Sequence, residues 1–287
     1  MISSLWLIVM KMVKTIFLLC VLVLSLSQAG IAKDNPDWKK VKVLVYTKNG
    51  KGYVHDNIPN AINCVRRLGQ QLGFKVEVSD QPSVFTESNI KQYTALIFLS
   101  TNNDVFDTTE QRLTFRRYIE AGGGFVGIHS VIGTERNWKW FKMMMGGTFI
   151  WHPKFQPYSI KVIATHHPST KGLPKIWQKS DECYFMKELY PGIEVLLAQD
   201  LTTLSADEGE KIRVHAAPFA ELYPAAWYHN FDGGHIWISA LGHDKKDYED
   251  PIFVQHLRQG LAYIVGKVNR VNYQNAYAGS WDEPLRY

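Results

Sequence analysis

Gly122-Gly123-Gly124-Phe125-Val126-Gly127-Ile128-His129-Ser130 reads as a buried strand with its boundaries attached. Glycines close a preceding helix, a short apolar run follows, and a histidine stands where the run ends. A glycine-rich phosphate loop joins a strand to a helix; these glycines precede a strand, so they read as a helix C-terminal cap. Two more apolar runs lie upstream, at 41–46, where Lys42 is the one charged residue, and at 94–100. Between them, Ile58, Ala61, Ile62, Val65, Leu68 and Leu72 recur at helical spacing, with Pro59 in the first turn and Gly73 at the end. Lys75-Val76-Glu77-Val78-Ser79 then returns to strand alternation. Asp107 or Thr108 caps a further helix carrying Leu113, Phe115, Tyr118 and Ile119. Continuous apolar strands separated by amphipathic helices predict an α/β chain with a mostly parallel sheet covered on both faces. In such sheets ligands collect at the carboxyl ends of the strands.

Beyond Ser130 the pattern changes. A short helix over 138–145 stops at Gly146-Gly147. Strand-like pieces follow at 158–164, 182–186, 193–199, 225–229 and 235–240, and a last helix runs from Asp250-Pro251 to about Val265. The chain has 287 residues, 46% hydrophobic and 21% charged, enough apolar material for one large core. We expect one domain over 40–268 and a polar, aromatic tail over 269–287. The first 32 residues read as an export signal. Lys11 and Lys14 precede an apolar run over 15–26, too short for a comfortable membrane span, and small residues at Ala29 and Ala32 suit cleavage. An uncleaved anchor is the rival reading. Without those lysines the formal charge falls from +5 to about +3, with no basic cluster, which gives no support to nucleic-acid binding, and no such partner is expected. Cys64 and Cys183 lack C-x-x-C spacing and do not read as catalytic.

Histidine placement carries the functional reading. His55 follows the first strand, His129 ends the strand at 125–128, and His152 follows Gly146-Gly147. His167 follows the piece at 158–164, and His243 follows the piece at 235–240. Glu182 adds a carboxylate. Two chemistries suit the set: imidazoles with a carboxylate can hold a divalent ion such as zinc, or can move protons on a sugar near neutral pH. No H-E-x-x-H motif fixes the first, so the metal stays unassigned. His215, His229, His235 and His256 read as structural. Tryptophans 138, 140, 151, 177 and 227 offer either core or sugar-stacking surface. Ser130 lacks the G-x-S-x-G context of a serine nucleophile.

Several of these pieces, in order, resemble the ThuA-like (trehalose utilisation) family. They are the strand at 43–46 with His55-Asp56, Ile58-Pro59, the segment 122–130, Trp151-His152-Pro153, and His167-Pro168 with Gly172-Leu173-Pro174. Asp181-Glu182 with Tyr184, Pro224 to Trp227, and Ala240-Leu241-Gly242-His243 complete the series. The resemblance implies a flavodoxin-like, class I glutamine amidotransferase-like three-layer sandwich. Amidotransferases carry cysteine where this chain carries His129, which argues against glutaminase activity. It also implies a role in carbohydrate metabolism and exported sugar degradation, periplasmic or extracellular.

The expectation is therefore an enzyme acting on a glycoside or keto-sugar, with a non-catalytic sugar-binding protein as the alternative. His129, Glu182 and His55 are expected to be catalytic. His152, His167, Tyr184, Trp227 and His243 are expected to bind a small carbohydrate. A homo-oligomer is compatible with this reading.

Overall fold

The computed structural model describes residues 36–217 and 219–286, so the expected signal segment lies outside the described residues. Residues 37–287 form one compact unit. None of its described helices is long and apolar enough to cross a membrane. The strands are β1 (Lys42–Tyr46), β2 (Lys75–Ser79), β3 (Ala95–Leu99), β4 (Gly124–Ile128), β5 (Thr148–Trp151) and β6 (Gln156–Val162). They continue with β7 (Ile176–Asp181), β8 (Phe185–Lys187), β9 (Glu194–Asp200), β10 (Leu222–Phe231) and β11 (Gly234–Ser239).

Nine strands form one sheet in the order β2-β1-β3-β4-β11-β10-β9-β6-β7, and β5 pairs β8 separately. From β2 to β11 all pairings are parallel. Beyond β11 the strands alternate in direction. The chain is thus α/β, with a large central sheet and covering helices. β3 and β4 are buried at every residue, as their unbroken apolar composition requires.

The helices follow their local signals. Ile58–Leu72 buries Ala61, Cys64, Val65 and Leu68 and ends on Gly73 at φ +89°, where a side chain would be strained. Thr108 caps Thr109–Glu120 through a reciprocal capping box with Gln111. Asp250 accepts from the backbone of Ile252 and Phe253 to start Pro251–Lys267, which buries Phe253, His256, Leu257, Leu261 and Ile264. Cys64 and Cys183 are buried and unbridged.

Two local expectations change. The strand expected at 182–186 begins only at Phe185, and Glu182 instead directly follows the preceding strand, β7, which the sequence does not announce. β7 exposes alternate residues and turns Trp177, Lys179 and Asp181 inward. The half-polar composition of this outer strand hides it from a search for apolar runs. The helix Gly209–Ala216 is likewise mostly polar on its surface and buries Ile212 and Ala216.

Flat packing at about 4.8 Å per strand would leave β7 roughly 19 Å from β11. Yet Gly242 N, just past β11, lies 2.8 Å from Asp181 Oδ2. The antiparallel half of the sheet must therefore curl back over the end of the parallel half. Trp177 of β7 meets Phe253 and His256 of the last helix on the inside of this curl.

His256 is completely buried, with Nε2 3.0 Å from Ser239 Oγ. Burial pushes its pKa down to about 3. Burial also lowers His167 to about 4. An unfolded histidine takes up a proton below about pH 6.5, whereas these do not until far lower, so stability is complete above pH 6.5 and falls as pH drops. Urea denaturation at pH 7 and pH 5 should show a loss of about 1.4 kcal/mol per pH unit for each such histidine. His256→Gln should remove one histidine's share of that slope; an unchanged slope would contradict the assignment.

Candidate functional site

The parallel half of the sheet gathers three histidines at one edge. β1, β4 and β11 run the same way, and His55, His129 and His243 lie in the segments that leave their carboxyl ends. Counting the alternating directions outward, β7 also ends on this edge and delivers Glu182. His55, His129, Glu182 and His243 each offer a ligating atom, all within 4.8 Å of one another.

His129 sits at the sharp turn out of β4 with φ +58°, a left-handed conformation that costs a non-glycine residue roughly 1 kcal/mol or more. Its Nδ1 lies 3.3 Å from the Ala240 carbonyl, which can only accept, so the ring proton is on Nδ1 and the Nε2 lone pair faces the pocket. The hydroxyl of Tyr184 donates to that Nε2 at 3.1 Å. His152 follows β5 and is fixed the same way, its Nδ1 donating to the Pro153 carbonyl at 2.8 Å. His55 Nδ1 is 3.2 Å from Ser130 Oγ. Partners on the far ring nitrogen are the usual means of orienting imidazole ligands.

Glu182 sits among these rings. Its Oε2 is 3.1 Å from His243 Nδ1 and 3.8 Å from His129 Nε2, and its Oε1 is 3.5 Å from His152 Nε2. The contact with His243 is the shortest of the three, and the half-buried ring presents Nδ1 directly to the carboxylate. Burial lowers His55 to about 4, helped by the neighbouring His243. Burial, with His55 and His243 beside it, lowers His129 well below the ordinary histidine value. Both are neutral at pH 7. Burial works against charge on Glu182, but His243 and His152 overcome it and lower its pKa. Burial likewise opposes protonation of His243, and Glu182 overcomes it.

The donor set suits a divalent ion. Ligands on a tetrahedral zinc stand about 3.3 Å apart, so atoms within 4.8 Å need shifts of about an ångström. Three nitrogens and one oxygen, with no sulfur, are a borderline-hard set suited to zinc and its neighbours. The neutral imidazoles of His55 and His129 and the charged carboxylate agree with such a fit, and a bound ion would take the place of the proton that Glu182 favours on His243.

Two residues expected here lie elsewhere. His167 follows β6, which runs opposite to β4 and β11, so its loop emerges at the other edge of the sheet. There it packs on Tyr228 and Tyr263, with ring centroids 4.3 and 4.4 Å away, and bonds Ser169 Oγ. Trp227 is fully buried, and its Nε1 donates to the Met145 carbonyl, so it fills the core and offers a ligand no surface. Trp138, Trp140 and Trp177 are also buried. The exposed rings beside the cluster are instead Tyr53, 62% exposed with its centroid 4.7 Å from His55, and Phe155, 43% exposed and 5.5 Å from His243. Neither belongs to an amphipathic pattern, so the sequence gives no sign of them.

Asp181 was also missed as a positioning group. It is fully buried and accepts from Glu182 N at 2.9 Å and His243 N at 3.1 Å through Oδ1, and from Gly242 N at 2.8 Å through Oδ2. Lys179 Nζ, 3.3 Å from Oδ2, balances its charge and also bonds Asp247.

The comparisons agree with this architecture. The family model for ThuA, described as trehalose utilisation, matches residues 42–264, and the chain belongs to that family. Its description gives the family a carbohydrate-related role. A ThuA-like protein of Bacteroides uniformis has a solved structure with TM-score 0.65 at 23% identity, covering 86% of this chain and 98% of its own. A ThuA-like protein of Parabacteroides merdae gives TM-score 0.61 at 18% identity, covering 80% and 92%. A cold-adapted β-galactosidase from Rahnella sp. R3 shares the fold over 80% of this chain but 32% of its own, with TM-score 0.52 at 16% identity. Among curated proteins none matches.

Asp181→Asn would turn an amide N–H₂ toward backbone donors and leave Lys179 short of charge. Breaking such a buried pair costs about 3 kcal/mol. Urea denaturation should show that loss; a change below about 1 kcal/mol would contradict the clamp.

Proposed function

We propose that this protein is an exported enzyme of carbohydrate catabolism that acts on a glycoside or keto-sugar beside a divalent cation, of which zinc is the best match. The convergence of His55, His129, Glu182 and His243 from four separate segments carries this reading. When bound, such an ion would polarise a sugar oxygen or lower the pKa of a coordinated water.

The protein's own residues supply the rest. Depressed pKa values keep the lone pairs of His55 and His129 free at neutral pH. The Ala240 carbonyl holds the His129 ring in the orientation that presents Nε2. His152, beside Glu182 Oε1 but outside the four-residue set, is placed to take or return a proton on a substrate hydroxyl. Burial, reinforced by Glu182, raises the Tyr184 phenol well above its ordinary value, so it acts as a donor. With His129 Nε2 engaged elsewhere, the Tyr184 hydroxyl is free to donate to a substrate oxygen. Tyr53 and Phe155 provide apolar ring surface on two sides of the cluster, as sugar pockets require.

Two measurements test the reading. Elemental analysis of protein equilibrated with zinc should find one equivalent per chain. His129→Ala should weaken binding by about 100-fold or more, while His167→Ala keeps the full equivalent. Absence of bound metal in the parent protein, or full occupancy in His129→Ala, would overturn it. For export, the intact mass of the protein recovered from outside the cytoplasm should begin directly after Ala29 or Ala32. Retention of the whole leader would contradict cleavage.

A further inference from the structure

Buried and half-buried arginines in the described residues are otherwise paired with acids: Arg112 with Glu135, Arg116 with Glu120, and Arg117 with Glu87. Arg136, also half-buried, has no carboxylate within ion-pair distance among the described residues. Its neighbour Glu135 is spent on Arg112 and on the backbone N–H groups of Val105 and Phe106. Arg136 is instead aimed by neutral acceptors. Nε donates to the Gly133 carbonyl at 2.9 Å, Nη1 to the Phe149 carbonyl at 3.3 Å, and Nη2 to Asn102 Oδ1 at 3.1 Å. Those contacts orient the guanidinium and engage three of its five N–H donors without neutralising it.

The placement is specific. A Cβ on Gly133 would stand 2.7 Å from both Arg136 Nη2 and Asn102 Oδ1, so glycine is what leaves room for the pair. The guanidinium lies 5.3 Å from the Phe149 ring centroid, and that ring packs at 4.5 Å on Tyr184 and 5.8 Å on His152. Asn102 Nδ2 in turn reaches the Tyr53 carbonyl at 3.5 Å. Arg136 therefore belongs to the same wall as the histidine cluster. Burial lowers its pKa, and the Tyr184 phenol works in the other direction. The acids at the histidine cluster are committed elsewhere, Asp181 to backbone N–H groups and Lys179, and Glu182 to the histidines.

A half-buried positive charge held by neutral groups is costly unless an anion completes it, and the guanidinium fork matches a planar oxyanion. We propose that Arg136 recognises an anionic substituent on the substrate, so that the substrate is a sugar bearing a carboxylate. This rests on the reading of the cluster as a carbohydrate pocket.

Calorimetry on the mature protein tests it, with methyl glucuronide and methyl galacturonide compared with methyl glucoside and methyl galactoside, and glucose 6-phosphate as a further arm. At least one uronide should bind about tenfold or more tightly than its neutral counterpart. Arg136→Gln should erase that preference with zinc stoichiometry unchanged, and Arg136→Lys should keep part of it. If Arg136→Gln fails to fold, Gly133→Ala, whose methyl displaces Arg136 and Asn102, should likewise erase the preference. Equal binding of acid and neutral sugars by the parent protein, or a preference that survives in Arg136→Gln, would overturn the assignment. Tighter binding of the phosphate than of the uronides would overturn the carboxylate. Zinc titration of the same samples separates the two readings: loss of zinc binding with a surviving uronide preference strikes the metal, and the reverse strikes Arg136.

Discussion

A single buried carboxylate ties the two halves of the sheet together at the edge where the histidines meet. Asp181 stands at the end of the outermost antiparallel strand, yet it accepts from the backbone of Glu182, Gly242 and His243. Two members of the cluster are thereby attached to one side chain. Lys179 supplies the charge that makes such a group tolerable in the interior, and the alternation of β7 places both on the inner face. Trp177 packs the curled extension against the last helix, and this clamp fixes its end so that Glu182 meets the histidines.

The same economy governs protonation. Burial alone would discharge every group in the pocket. His55 and His129 follow that tendency and stay neutral, whereas His243 and Glu182 each shift the other toward its charged form. The pocket thus combines lone-pair donors with a carboxylate near pH 7, a mixture that neither burial nor pairing produces alone. The left-handed backbone at His129 adds conformational strain where β4 turns, and the Ala240 carbonyl sets which face of the ring is presented.

The parallel half of the fold and its histidines were legible in the sequence for a common reason. Strands buried on both faces are continuous apolar runs, and a histidine after such a strand in a parallel sheet falls on the ligand-binding edge. His55, His129 and His243 obey that rule. His167 follows a strand too, but β6 points the other way, and strand direction in an antiparallel extension leaves no mark on local composition. Trp227 was misjudged because an aromatic residue in a core strand and one in a pocket have the same pattern. Asp181 was visible beside Glu182, but its task depends on a bond across 61 residues of chain to Gly242. Tyr53, Phe155 and Arg136 acquire meaning only from what stands next to them.

X-ray absorption at the zinc edge, on zinc-loaded protein, tests the central claim most directly. The account predicts a first shell of light atoms at about 2.0–2.2 Å, with the outer-shell scattering of three imidazole rings and one carboxylate oxygen. A sulfur shell near 2.3 Å, or a spectrum with fewer than two imidazoles, would contradict it.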